Sequence, residues 1–204
     1  MGKKTYEMSK IAIDPVIFTI HDAKLKVLLH IREKSPFQGK KELPGGLLLG
    51  EERAEQTLKR KLKELVGSDN LFMKQFHTFT HPDRDPRNRI VSIGFVSLIN
   101  QERVKDIVRW YDYNSLRDLA FDHKIIIEHA FQYLKDNLNS SVVKHFMPKH
   151  FPINKLQEVY ELIEEKEYDN RNFRKKLINS GIVEETNKLE KGVSHRPAKL
   201  FKFK

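Results

Sequence analysis

The sequence predicts an α/β chain of the α+β type in two parts: a mixed sheet-and-helix domain over residues 1–146, and a small helical domain with a two-stranded wing over 147–204. Three observations lead there. Val-, Ile- and Leu-rich runs separated by turn residues fill the first half. Two segments in that half carry apolar residues at helical spacing. A polar break, Asn137-Leu138-Asn139-Ser140-Ser141 with Pro148 and Pro152 after it, then precedes a second set of helices. The length of 204 residues suits one large domain or two small ones.

Residues 11–20 and 25–31 read as strands, with His21-Asp22-Ala23-Lys24 as the hairpin turn between them. Pro44-Gly45-Gly46 lies in a loop. Residues 53–66 read as a helix, because Ala54, Leu58, Leu62 and Leu65 form an apolar stripe. Gly67 sits where its C-terminal cap belongs. Residues 71–80 and 90–99 are two more strands, joined by the polar segment 81–89, and 109–113 is a short strand. Residues 121–138 form a second helix with Ile126, Ile127, Ala130, Phe131, Leu134 and Leu138 on one face.

Beyond the break, residues 154–166 carry Leu156, Val159, Tyr160 and Ile163 at core spacing. Residues 170–180 form a short basic helix ended by Gly181. Ile182-Val183 and Lys199-Leu200-Phe201-Lys202-Phe203 read as strands around a charged loop. Helix, turn, basic helix and wing are the order of a winged helix-turn-helix. No apolar run approaches the ~18 residues of a membrane span. Met1-Gly2-Lys3-Lys4-Thr5-Tyr6 lacks the apolar core of a signal peptide. With no cysteine, disulfide frameworks and thiolate metal sites are excluded. The cytoplasm is the expected compartment, with no membrane partner.

Charge separates the two halves. The chain carries a formal net charge of +10. From Tyr168 to the end, ten basic residues face four acidic ones, so +6 lies in under a fifth of the chain. That concentration is the electrostatic footprint of a nucleic-acid module. At ~100° per residue, Phe173 and Leu177 mark the buried side of the basic helix. Arg171, Asn172, Lys175 and Asn179 fall opposite, and Lys176 lies on a flank. Basic residues suit phosphate contacts and asparagine suits adenine. Arg174 falls between Leu177 and Ile178, which suits a contact within the domain. Arg196, in the wing tip Gly192-Val193-Ser194-His195-Arg196, can reach a backbone or a minor groove.

Two clusters in the first half carry chemistry. From Gly46 onward, Glu52, Arg60, Leu62, Glu64 and Gly67 fall on the spacing G-x5-E-x7-R-E-U-x-E-E-x-G-U, and so resemble a Nudix box. Lys61 and Leu65 stand where that motif has glutamates, and Ser68 replaces an aliphatic residue. Positions 61, 64 and 65 share one turn and can converge. Three carboxylates there suit a hard cation, whereas Lys61, Glu64 and Leu65 sum to zero charge. Glu64 also pairs with Arg60 at i,i+4. No metal and no catalytic residue is expected at this degenerate box, residual Glu64 included.

The second cluster is Arg84, Arg87 and Arg89 in one loop. Arginine forks bind phosphate bidentately, and Asp83 and Asp85 can instead pair with them and order the loop; both readings are open. Arg32, at the end of a strand, and Gly45 complete the candidate ligand-binding set. His77 and His81 are four apart on a strand with no third ligand, which does not make a metal site.

Both halves together resemble the NrtR-like group of Nudix-related bacterial transcriptional regulators. The degenerate box carries part of the likeness. Asp83-Arg84-Asp85-Pro86-Arg87, Arg89-Ile90-Val91-Ser92 and Leu119-Ala120-Phe121-Asp122-His123 carry more. The rest lies in Asp169-Asn170-Arg171-Asn172-Phe173-Arg174-Lys175-Lys176 and the wing ending at Phe203. The resemblance implies a Nudix α/β/α sandwich as effector domain, a winged helix, and a homodimer on a palindromic double-stranded operator. It implies a repressor that needs no cofactor, with ADP-ribose as effector and NAD metabolism as target. Other members look like regulators of sugar use. Lys41-Glu42 stand where many relatives have an aromatic and then a small residue, which leaves the ligand open. The rival expectation is a live hydrolase of a nucleoside diphosphate derivative, against which Lys61 and Leu65 speak.

Overall fold

The computed structural model describes residues 8–68, 71–100, 109–192, 194 and 196–204. Met1 to Tyr6, and Val193 and His195 of the wing tip, lie outside the described residues. The first domain is built on a sheet of β1 (Lys10–His21), β2 (Lys24–Leu28), β5 (Gly46–Leu47), β6 (Phe72–Phe79), β7 (Ile90–Leu98) and β8 (Trp110–Asp112), in the order β6-β7-β1-β2-β8 with β5 on β1. β1 and β7 run parallel; the other neighbours are antiparallel. A two-stranded ribbon joins β3 (His30–Ile31) to β4 (Lys41–Glu42).

β1 is buried on both faces, and its alternation sorts the core. Ile13 and Ile17 face α1 (Ala54–Val66) with Leu58, Leu62, Val66 and Phe95. Val16 and Phe18 face α2 (His123–Asp136) with Ile126, Ile127 and Ala130. The result is the α/β/α sandwich expected. Pro15 cannot donate to a ladder. It falls where β1 changes neighbours on one side, between the β5 pairs at Ala12 and Ile13 and the β2 pairs from Phe18 onward. The β1–β2 turn has Asp22 and Ala23 both at φ 51, the primed geometry that suits sheet twist.

Helix α1 starts after Arg53, whose N–H donates to Gln56 Oε1 at 2.7 Å, and ends at Gly67 with φ 72. Gly67 supplies the left-handed conformation that this cap needs. Its buried side is Thr57, Leu58, Leu62 and Val66, so the stripe sits slightly off the expected one and Leu65 is half-buried.

The second part contains α3 (Ser140–Val143), β9 (Phe151–Pro152), α4 (Ile153–Glu164), α5 (Asn170–Asn179), β10 (Val183–Leu189) and β11 (Lys199–Phe203). The small sheet has the order β10-β11-β9. β9 falls in the segment expected as a break. At two residues it is too short to show a period, yet Phe151 is completely buried. Asp169 caps α5 by accepting from the Asn172 N–H at 2.9 Å, a contact worth about 1 kcal/mol. One apolar core runs from Val16 and Leu134 through Val142, Phe146 and Met147 to Leu156, Val159, Phe173 and Phe201. Among the described residues no helix is long and apolar enough to cross a membrane.

Candidate effector site and nucleic-acid face

The candidate effector site lies where β1 changes neighbours. A cavity of about 160 Å³ opens there, walled by Asp14, Arg32, Glu42, Gly45, Phe121 and His123, with Arg84, Asp85 and Arg87 on the loop side. Gly45 is required by close approach, since a Cβ would meet Asp14 Oδ1 at 2.2 Å. Asp14 is a buried carboxylate on a central strand, and it is fully engaged on one oxygen: its Oδ2 accepts from Ser92 Oγ and from Arg84 Nη2, the latter at 3.3 Å.

Arg84 is buried and forks onto Asp122, Nε to Oδ2 at 2.9 Å and Nη2 to Oδ1 at 2.8 Å. Asp122 precedes α2 but does not cap it, because its carboxylate serves Arg84. Arg87 is committed to Asp85, at 2.9 Å through Nε and 2.6 Å through Nη2. The Arg87 pairing holds the Asp85 carboxyl below its usual range against the cost of burial. Arg32 donates to Glu42 Oε2 at 2.8 Å and to the Pro36 carbonyl at 2.5 Å. The guanidinium carbons of Arg32 and Arg87 lie 4.7 and 5.1 Å from the Phe121 ring centre, within cation–π range. Phe121 itself has φ 53, a strained conformation for an aromatic residue.

The structure thus brings Arg32, Gly45, Arg84 and Arg87 to one cavity. Arg89 is not there: it is half-buried outside the wall and its Nη1 donates to the Thr80 carbonyl at 2.8 Å. Of the two readings of the loop, Asp85 pairs with Arg87 as the second supposes, while Arg84 is held by Asp14 and Asp122. Asp14, Glu42, Phe121, Asp122 and His123 were not among the expected ligand residues. A charge followed by proline inside an apolar strand was the available signal for Asp14.

His123 Nδ1 accepts from the Leu43 N–H at 2.9 Å, and Nε2 lies 4.0 Å from Asp14 Oδ1. Burial lowers the His123 pKa; Asp14, Asp122 and Glu42 oppose the shift and Arg84 adds to it. Below about pH 6.5 the unfolded chain takes up a proton that folded His123 refuses. Stability is therefore expected to fall as pH drops below that value, and His30, also lowered by burial, acts the same way. Thermal melts at about pH 7.5 and 5.5 check this, and His123→Asn should flatten the dependence.

The box region holds together as a clamp. Arg60 Nε and Nη2 donate to Glu52 at 2.8 and 2.9 Å, and Thr57 Oγ1 donates to the same carboxylate at 2.6 Å. The Arg60 contacts, then Thr57, lower the Glu52 pKa to about 2. Lys61 Nζ donates to Glu64 Oε2 at 3.2 Å, and Arg60 Nη1 lies 3.5 Å from Glu64 Oε1. A Cβ on Gly46 would lie 3.1 Å from Lys61 Cε, so the lysine covers the glycine loop. Glu64 is thus shared by two cations. His77 packs its ring 5.1 Å from that of His129, and no metal-ligand cluster occurs among the described residues.

On α5, Phe173 and Leu177 are buried, while Arg171, Asn172, Lys175, Lys176 and Asn179 are exposed together. Arg174 lies over the Phe201 ring, 5.6 Å from its centre, which is a contact within the domain. Arg196 is exposed and lines a shallow cleft with Arg174 and Lys199. In the wing, Lys202 pairs with Glu184 at 2.7 Å and Lys199 with Glu185. On α5, Arg171, Lys175 and Lys176 are exposed, without a salt bridge among the described residues.

The NUDIX domain profile matches residues 12–130, and the profile of the NrtR DNA-binding winged helix domain matches residues 143–203. The chain is 30% identical to the ADPR-responsive transcriptional repressor NtrR of Acinetobacter baylyi over 98% of its own length and 84% of that protein. Shewanella oneidensis NrtR, solved in complex with a 27mer DNA, is 30% identical with a TM-score of 0.84, covering 95% of this chain and 93% of that one. The Nudix domain of the same protein, solved with ADP ribose, is 34% identical with a TM-score of 0.56, covering 63% of this chain and 90% of that one. Likeness over both domains at once places this chain in the NrtR-like family of transcriptional regulators, a Nudix domain joined to an NrtR winged helix.

Proposed function

We propose that this protein is a transcriptional repressor that binds operator DNA as a homodimer and responds to ADP-ribose bound in its Nudix domain. The observation that carries the reading is the exposed cationic face of α5, Arg171, Lys175 and Lys176, without a salt bridge among the described residues, joined to a Nudix domain that holds a polar cavity. A relative covered to 84% of its length is an ADPR-responsive repressor, and another was solved on DNA. A gel-shift titration on a selected palindromic operator, with and without ADP-ribose, tests it. A change in the bound fraction with ligand is the expected result.

Asn172 is the proposed base reader, and Arg171, Lys175, Lys176, Asn179 and Arg196 are proposed to seat the backbone. Asn172→Ala is expected to cost about 1–3 kcal/mol and to relax the preference at one operator position. Selection of bound sequences with wild type and variant measures both.

The Nudix domain is proposed to have lost hydrolysis. Glu64 is shared between Lys61 and Arg60, and no other carboxylate stands at position 61 or 65. With ADP-ribose and Mg²⁺, turnover is expected far below the ~1 s⁻¹ foot of the usual enzyme range. Product formation within that range would restore the hydrolase reading.

A further inference from the structure

We propose that Gln157 is the positioning residue of the DNA reader: from inside α4 it holds the first residue of α5 and the turn before it, and so sets the angle at which Arg171, Asn172 and Lys175 meet DNA. This rests on the operator-binding reading above.

Burial singles Gln157 out. It is 6% exposed, and among the described residues beyond α2 it is the only buried polar side chain. A buried amide without partners costs about 1–3 kcal/mol, and an apolar side chain would fill the space without that cost. Gln157 has its partners. Its Nε2 donates to Glu161 Oε1 at 2.8 Å, to the Tyr168 carbonyl at 2.9 Å and to Asn170 Oδ1 at 2.7 Å. An amide nitrogen has only its NH₂ pair of hydrogens to give, so one of them is shared between acceptors. The acceptors belong to α4 itself, to the turn and to the start of α5. One side chain thus joins three pieces of the reader.

The turn is tied from other sides too. Glu161 Oε1 also accepts from the Tyr168 N–H at 2.9 Å. The Tyr168 hydroxyl donates to Glu164, and its ring lies 5.2 Å from that of Phe173 on α5. The apolar cluster that Leu156, Val159, Ile163, Phe173 and Leu177 share holds the two helices together, but such packing has no direction of its own. Hydrogen bonds do, and a satisfied buried network specifies one arrangement. Arg171 and Asn172 follow Asn170 directly. α5 has ten residues and is therefore about 15 Å long. Over that length a tilt of ~10° about Asn170 carries Asn179 about 2.5 Å sideways, further than a hydrogen bond stretches. Attraction to phosphates survives such a tilt; reading of base edges does not.

Fluorescence anisotropy on the full chain compares a selected operator with a shuffled duplex of the same length at one salt concentration. Gln157→Leu keeps the bulk and removes the amide. It is expected to weaken operator binding by about tenfold, or 1.4 kcal/mol, and to leave the shuffled duplex within about twofold. A side chain that only supported the fold would lower Tm and leave the preference of the folded molecules alone. Glu161→Gln keeps an acceptor for both Gln157 and the Tyr168 N–H, and is expected to keep the preference. Glu161→Ala loses that acceptor at a half-buried position, and is expected to reduce the preference even if Gln157→Leu does not fold. An unchanged preference in the folded variant overturns the positioning role, and so does an equal loss on both duplexes. A wild-type chain that prefers no selected sequence overturns the operator reading itself, and the positioning role with it.

Discussion

Arg84→Ala is expected to destabilise the protein by about 3–5 kcal/mol, because it strands buried carboxylates without their counter-charge. Asp14 and Asp122 reach Arg84 from β1 and from the start of α2, so one guanidinium ties sheet, loop and helix. Its side chain is 4% exposed, and water cannot take its place. For a chain of this size each kcal/mol moves Tm by about 2–4 °C. The fall in Tm should therefore be on the order of 10 °C. Arg84→Lys should recover only part of it, since an ammonium cannot fork across two carboxylates. Arg87→Ala is the contrast. Arg87 is half-exposed and its salt-bridge partner, Asp85, keeps the Arg87 backbone N–H as a donor, so its loss strands a single buried carboxylate and should lower Tm by less than Arg84→Ala does. A scanning melt of the three variants separates these outcomes; equal Tm for Arg84→Ala and wild type would remove the keystone role.

The largest effect on binding is expected from the combined variant Arg171→Ala, Lys175→Ala, Lys176→Ala. None of the three side chains is salt-bridged among the described residues, and all are exposed. Each phosphate contact contributes about −0.9 to the slope of log K against log salt. If the proposed dimer places all three on phosphates in each half-site, six contacts go, and the slope should flatten by about five. Alanine keeps the helix intact, so circular dichroism should not change. Fluorescence anisotropy on an operator between about 50 and 200 mM salt reads the slope directly. An unaltered slope would exclude α5 as the phosphate-binding face.

Most of the architecture was legible in residue order, for a physical reason: long elements repeat their burial. β1 and β7 are long Val- and Ile-rich runs, α1, α2, α4 and α5 carry stripes, and Gly67 and Gly181 end helices at positive φ. The elements missed include the four-residue α3 and the two-residue strands β4, β5 and β9. The strands' existence depends on partners far along the chain, such as Leu47 against Ala12, and no local period announces them. The same holds for the candidate effector site. Arg32, Gly45, Arg84 and Arg87 stand out by residue type. Leu43 to His123 and Asp14 to Arg84, by contrast, are contacts across 80 and 70 residues. Which carboxylate neutralises which arginine is a tertiary fact.

The unbroken core between the two domains bears on modularity. Phe146 and Met147, between α3 and β9, are buried in the same cluster as Leu134 of α2 and Leu156 of α4. Lys135 of α2 also pairs with Glu165, just past α4, at 2.7 Å. A chimaera that exchanged the DNA reader after this point would expose one half of that packing surface unless α2 and α4 were redesigned as a matched pair. New operator specificity is thus reached with least disturbance on the exposed side of α5, where residues can be exchanged without reopening the core. Whole-domain shuffling, routine among regulators with a flexible tether, is closed to this one.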